Sequence, residues 1–560
     1  MIIITSCNKG GNQGMFSDGK IYFAKAGEQL SEKLYLLPKM ANRHGFICGA
    51  TGTGKSITLK VLAESFSHMG VPVFLADVKG DLSGMLAPGA DTEDMKKRIA
   101  KFGLSDSGFS YQAFPTVFFD IYGQRGIPLR TTVSEMGPQL MASVLGLNDT
   151  QTDVLSVVYK IADDENLLLC DTKDLKAILQ YASEKSDEYE MEYGHIAKQS
   201  VSAIVRAIVA LEADGGDIFF GEPALNVSDF FTTDIGGKGM INILDSSSLI
   251  SHPRLYSAFM LYLLSELFEI MPEIGDPEKP RIVFFFDEAH LLFKNAGPAL
   301  MEKIEQMIKL IRSKGIGVFF ITQSPGDIPD SVSSQLGNKI EHALRAYTPA
   351  ERKTLNAAAA AFRENNEFDT LELLSALGTG EAVVSMLDEK GIPGIAQHAY
   401  ILPPESRMGM ITDEERANSI KTSNLYLKYN TPSDPDSAFE FMERRQRQLT
   451  EEAERLKAEE AAEKEKLKAE KAREKEELKE ARDAARAQEK AEKEAEKAAE
   501  REKRALERSI KSVASTAAGS IGREAGHLFG KKLGGTFGKT LGGNIGASLG
   551  RNILGTLFKH

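Results

Sequence analysis

The stretch Gly49-Ala50-Thr51-Gly52-Thr53-Gly54-Lys55-Ser56 has the spacing G-x-x-x-x-G-K-[ST] of a phosphate-binding loop. Gly45-Phe46-Ile47-Cys48 before it reads as a short buried strand. Ile57-Thr58-Leu59-Lys60-Val61-Leu62-Ala63-Glu64 after it reads as the start of an amphipathic helix. In that context the glycines let successive backbone N–H groups turn inward around a β-phosphate. The helix N-terminus adds the positive end of its dipole. Lys55 is then expected to reach the β- and γ-phosphates, and the Ser56 hydroxyl to ligate Mg²⁺. The spacing predicts a nucleoside triphosphate site.

Working outward, residues 71–76 form a buried-strand run that delivers Asp77-Val78-Lys79-Gly80-Asp81 at its carboxyl end. Asp77 and Asp81 flank Lys79, either to support the site or contact a polymer, or as a solvated turn. Residues 116–120 look like another strand. Residues 134–235 are mostly helical in pattern, with Met141, Val144 and Leu145 and then Val154, Leu155, Val157 and Val158 at helical spacing. Strands return at 239–245, 282–286, 316–321 and 381–386, with a long apolar helix from about 253 to 271. Strands alternating with helices imply a mainly parallel sheet covered on both faces, with ligands at its carboxyl edge.

Ile282-Val283-Phe284-Phe285-Phe286-Asp287-Glu288 is an apolar strand ending in two acids. Downstream of a phosphate loop, Asp287 is expected to hold the Mg²⁺ shell and Glu288 to orient or deprotonate the attacking water. The strand Ile316-Gly317-Val318-Phe319-Phe320-Ile321 leads into Thr322-Gln323. If it lies beside the first strand, Gln323 would sit near the γ-phosphate and sense hydrolysis; otherwise Thr322-Gln323-Ser324-Pro325 simply begins a loop.

The series GATGTGKS, ADVKGD, FFFDEAH and IRSKGIGVFFITQSP resembles the HerA–FtsK group of ring-forming ATPases. Asn42-Arg43-His44-Gly45, Arg130-Thr131-Thr132-Val133-Ser134-Glu135-Met136-Gly137-Pro138, His342-Ala343-Leu344-Arg345-Ala346-Tyr347-Thr348-Pro349 and Gly378-Thr379-Gly380-Glu381 resemble its YjgR-like branch. The resemblance covers roughly residues 38–405. It implies a RecA-like P-loop core working as a homo-oligomeric ring, usually a hexamer, with ATP between subunits. It also implies a motor acting on DNA, as translocase or helicase. Better-known members carry a barrel ahead of the core, for which the first 39 residues are too few. A ring ATPase normally needs an arginine supplied in trans. Arg345 is the first candidate, Arg312 the second and Arg130 the third.

The expected layout is a short N-terminal segment (1–39), a core (40–133 and 236–405), a helical insertion (134–235), a linker (406–440), a charged helix (441–508) and a tail (509–560). The formal charge of −12 argues against a generally basic surface, not against a local basic channel. The three cysteines, Cys7, Cys48 and Cys170, give neither a disulfide framework nor a zinc site, which fits a reducing compartment. With no basic start or signal-peptide core at the N-terminus, the expected location is cytoplasmic.

Residues 441–508 are nearly all Glu, Lys, Arg and Ala. A continuous helix there would be roughly 100 Å long. Leu449, Leu456, Leu467 and Leu478 make a poor heptad seam, compatible with either an 11-residue coiled-coil repeat or a single helix held by Glu/Lys pairs. In the tail, glycine recurs every fourth residue from Gly522 to Gly550, each preceded by an almost wholly apolar series. Seven Lys and Arg stand against Glu524 alone. Such a ridge suits self-packing, contact with an anionic membrane surface, or a flexible tail. An ATP-driven scaffold or remodeller acting through arm and tail is the alternative to a DNA motor.

Overall fold

The computed structural model describes residues 15–17, 19–27, 29–105, 108–294 and 298–506. The glycine-rich tail, and every expectation attached to it, lies outside these residues. The described chain forms two compact units, divided after Glu452.

The first unit is built on one sheet of thirteen strands among the described residues. These are β1 (Phe16–Ser17), β2 (Lys20–Ala26), β3 (Glu32–Leu36), β4 (Gly45–Cys48), β5 (Val73–Asp77), β6 (Thr116–Asp120), β7 (Ile127–Pro128), β8 (Ile241–Asp245), β9 (Ile282–Phe286), β10 (Ile316–Thr322), β11 (Asn338–His342), β12 (Glu381–Ser385) and β13 (Gln397–Ile401). Their order is β1-β2-β13-β12-β11-β4-β10-β9-β5-β8-β6-β7, with β3 paired to β2. From β11 to β7 every neighbouring pair is parallel; from β11 towards β1 the pairs are antiparallel.

The apolar strands reflect burial on both faces. In β9, Ile282, Phe284 and Phe286 join one core while Val283 and Phe285 join the other, as the two-residue repeat of a strand requires. Helix α1 (Lys55–His68) covers one face, packing Leu59, Leu62 and Phe66 against Phe285 and Phe319. Helix Pro253–Ile270 and the helices between β7 and β8 cover the other. Those intervening helices include Val133–Leu145, Asp149–Asp164, Thr172–Glu184 and Lys198–Ala213.

Two segments show tertiary contacts that the sequence pattern did not announce. The N-terminal strands extend the main sheet, because β2 pairs with β13. The stretch read as a linker contains helices Asp413–Thr422 and Asn424–Tyr429, with Arg416 and Tyr429 buried. Arg416 bonds Asp245, and the Tyr429 carbonyl accepts from Arg130. Helix Ala438–Leu506 then runs for 69 residues. Its Leu449, Leu456, Leu467 and Leu478 are all about half exposed.

His44 ties the start of β4 to its surroundings. Its Nε2 donates to the Ile308 carbonyl at 2.8 Å and its Nδ1 accepts from Val318 N–H at 3.1 Å. Burial pushes this imidazole down to about 4, so it stays neutral.

Candidate active site

The parallel strands bring their carboxyl ends to one edge, where the chemistry-bearing residues gather. β10 lies directly between β4 and β9, with Thr322 beside Cys48 and Phe320 beside Phe286. The phosphate loop, Gln323 and the acid pair Asp287-Glu288 are therefore consecutive features of the edge.

The loop's shape depends on glycine at its two ends. Gly49 (φ 151°) and Gly54 (φ 119°) both hold positive φ, where a side chain is disfavoured. A Cβ on Gly49 would stand 2.5 Å from the Cβ of His342, so no side chain fits there. The loop is backed by β11 and by the turn before β12. Ala50 N–H donates to Ala343 O at 2.8 Å, and Gly380 N–H donates to Thr53 O at 2.9 Å. His342 is fully buried, and its Nδ1 donates to Glu381 O while Nε2 accepts from the Thr58 hydroxyl. Burial lowers its pKa to about 4, which keeps it a neutral strut between loop helix and sheet.

Lys55 is buried and its Nζ bonds the carbonyls of Gly49 and Ala50, within its own loop. Burial lowers its pKa. Thr51, exposed at the loop's tip, donates from its hydroxyl to Gln323 Oε1 at 3.4 Å. Gln323 in turn donates from Nε2 to both oxygens of Glu288, at 3.0 and 3.2 Å. Gln323 thus physically links the phosphate loop to the acid expected from the sequence to activate water.

Glu288 is buried and adopts φ 49°, the left-handed region that non-glycine residues rarely occupy. Lys79 Nζ lies 2.7 Å from its Oε1, and His290 Nδ1 lies 3.4 Å from Oε2. Burial would raise the Glu288 pKa, but bonds from Lys79 and Gln323 outweigh it and the net shift is downward. The carboxylate is thus held charged. Lys79 and His290 are site residues that spacing did not single out. The ADVKGD turn and the FFFDEAH run contain both, but only the fold aims them at one carboxylate.

Asp77 is buried and accepts from the backbone N–H groups of Lys79, Gly80 and Leu82. It shapes the turn that presents Lys79, so this turn is internally braced rather than solvated. The arginines are dispersed. Arg345 is exposed and donates to the carbonyls of Ser375 and Leu377. Arg130 is buried on Tyr429. Arg312 precedes β10, at the opposite sheet edge from the loop, and shares Asp276 with Arg43.

Asp287 is buried, and burial with Glu288 alongside raises it to about 6 despite the lowering field of Lys79. Among the described residues no cluster of three or more His, Cys, Asp and Glu forms a ready-made metal cage. Mg²⁺ needs no such cage, since it keeps waters and uses one or two hard oxygen ligands plus phosphates. A buried carboxylate and a serine hydroxyl at the start of the loop helix fit that ion. Ser56 and Asp287 would hold it, and when bound it would neutralise charge on the β- and γ-phosphate oxygens.

The profile of the helicase HerA-like C-terminal family matches residues 23–540. The chain belongs to that family. Among HerA-like relatives, the "DNA double-strand break repair helicase HerA" of Sulfurisphaera tokodaii is 21% identical over 388 residues, covering 66% of this chain and 67% of the relative. The protein of the same name from Sulfolobus acidocaldarius is 22% identical over 376 residues, with the same two shares. Similar solved structures include the bacterial conjugative coupling protein TrwB, with 15% identity, TM-score 0.45, and 69% of this chain and 89% of that one covered. VirB4 of Thermoanaerobacter pseudethanolicus gives 19% identity and a TM-score of 0.43, covering 70% and 98%. This HerA-like chain is a P-loop ATPase.

Proposed function

We propose that the protein is a Mg²⁺-dependent, ATP-driven DNA motor, a translocase or helicase working as a homo-oligomeric ring, with a hexamer as the expected assembly. The supporting observation is the match to the HerA-like family over residues 23–540, joined to a site in which Gln323 links Thr51 to Glu288. In this reading Lys55 steadies the phosphates, Glu288 orients the water and Gln323 reports the state of the γ-phosphate to the neighbouring strand.

A ring supplies an arginine from a neighbour. Arg345 and Arg130 are already engaged with carbonyls of their own chain. Arg312 is engaged as well, in an ion pair with a half-exposed Asp276 that it shares with Arg43 at the edge away from the loop. The exposed Arg345 therefore remains the first candidate.

The deciding experiment is steady-state ATP hydrolysis alone, with single-stranded DNA and with duplex DNA, using Glu288→Gln as the blank. Several-fold stimulation that weakens steeply with salt supports the motor, because phosphate contacts release counterions. A Glu288-dependent rate indifferent to DNA sinks it. A second reading, an ATP-driven scaffold or remodeller, draws on the half-exposed leucines of Ala438–Leu506. Liposome binding lost on removing residues 509–560 would favour that reading.

A further inference from the structure

Gly380 joins the phosphate loop to a helix that no part of the loop motif includes. Its N–H bonds Thr53 O, and a Cβ on Gly54 would stand 3.2 Å from Gly380 N. On its other side, a Cβ on Gly380 would lie 2.9 Å from Nη2 and 3.2 Å from Nη1 of Arg98. The Arg98 guanidinium, on helix Glu93–Phe102, therefore rests on the turn that backs the loop. Arg98 is half-buried, and no hydrogen bond or ion pair holds it among the described residues. One turn further, Lys101 Nζ lies 4.6 Å from the Tyr400 ring, which stacks near His398 with centroids 4.7 Å apart. A cationic helix face and two half-buried rings thus flank the loop on its β12–β13 side.

The direction of a bound nucleotide follows from the acids. Its γ-phosphate must face Glu288 and Gln323, on the β9–β10 side of the loop. The α-phosphate and nucleoside therefore leave on the opposite side, towards Gly380. We infer that Arg98 binds the nucleoside end of ATP and sets how firmly the nucleotide is held. The inference rests on the loop being an ATP site. A guanidinium suits this role because it is planar enough to stack on a base and carries donors for ribose or ring acceptors.

Arg98→Ala and Arg98→Lys, made in the full chain, test this through ATP hydrolysis and calorimetric binding of ADP and of inorganic tripolyphosphate. Loss of one charged, planar contact is expected to raise the KM for ATP and the Kd for ADP about tenfold, with kcat within about twofold. Tripolyphosphate, which lacks a nucleoside, should bind both variants as it binds the parent. Equal weakening of ADP and tripolyphosphate, a fall in kcat at constant KM, or no change at all would each overturn the assignment. A parent protein that binds neither probe would instead overturn the ATP reading beneath it. Lysine retains the charge without the plane, so full recovery in Arg98→Lys would also refute a role for the planar group.

Discussion

Replacing Glu341 with glutamine should stabilise the protein, and only above a definable pH. Glu341 sits on β11 beside Cys48 of β4, is 2% exposed, and its Oε1 has no hydrogen-bond partner. Burial raises its pKa from 4.5 to about 7, against smaller lowering influences from Lys339 and Cys48. Below pH 4.5 both folded and unfolded chains carry the proton, so the carboxyl costs nothing. Between 4.5 and 7 the unfolded chain has ionised while the folded one has not, so unfolding releases a proton and stability falls as pH rises. Above 7 the penalty is complete, and a shift of this size corresponds to about 3 kcal/mol. Glutamine keeps the shape without the charge. Urea unfolding of parent and Glu341→Gln between about pH 5 and pH 8.5 should give curves that lie close at the acid end. They should separate up to about pH 7 and run parallel beyond it. A separation that does not change with pH would refute the reasoning, whichever variant proved the more stable.

Gln323→Ala removes both bonds that hold Glu288 from β10. It should lower kcat by about 10² while leaving the KM for ATP within about threefold; an unchanged kcat would remove Gln323 from the site. Glu64→Ala should destabilise the fold by about 2–6 kcal/mol, because the backbone N–H groups of Glu405 and Ser406 both donate to its carboxylate and would be left buried without an acceptor. A thermal midpoint equal to the parent's would count against that role. Gly45→Ala would place a Cβ 2.2 Å from the ring of Phe319, so it should cost about 1–3 kcal/mol in urea unfolding. A neutral result would mean that the ring can move aside.

What could be read directly from the chain was local. The phosphate loop is a contiguous run whose backbone demands are written in glycine. The five apolar residues before Asp287 announce a strand buried on both faces. The adjacency of β10 to β4 was a condition that sequence left open, and the sheet supplies it. Lys79, His290 and His342 could not be assigned to the site because their place in it depends on contacts between distant parts of the chain. Lys79 and Glu288 are joined only because β5 and β9 are neighbours. Arg416 gave no signal either, since a buried arginine in a polar run looks like any solvated one until Asp245 is beside it. Long-range pairing, rather than residue type, was the missing information.

With Glu288 read as the base, its left-handed backbone places strain at the centre of the proposed chemistry. An L-residue there costs roughly 1–2 kcal/mol compared with the right-handed region, and glycine would carry no such penalty. The buried Glu288 carboxylate is held charged by Lys79 and Gln323, which offsets part of that cost. Glu288→Gly would relieve the backbone, but it would also take away the acceptor that Lys79 and Gln323 share. Relief of the backbone at this position therefore comes only with loss of the group read as the base. A screen for heat resistance that also demanded hydrolysis would leave the strain in place.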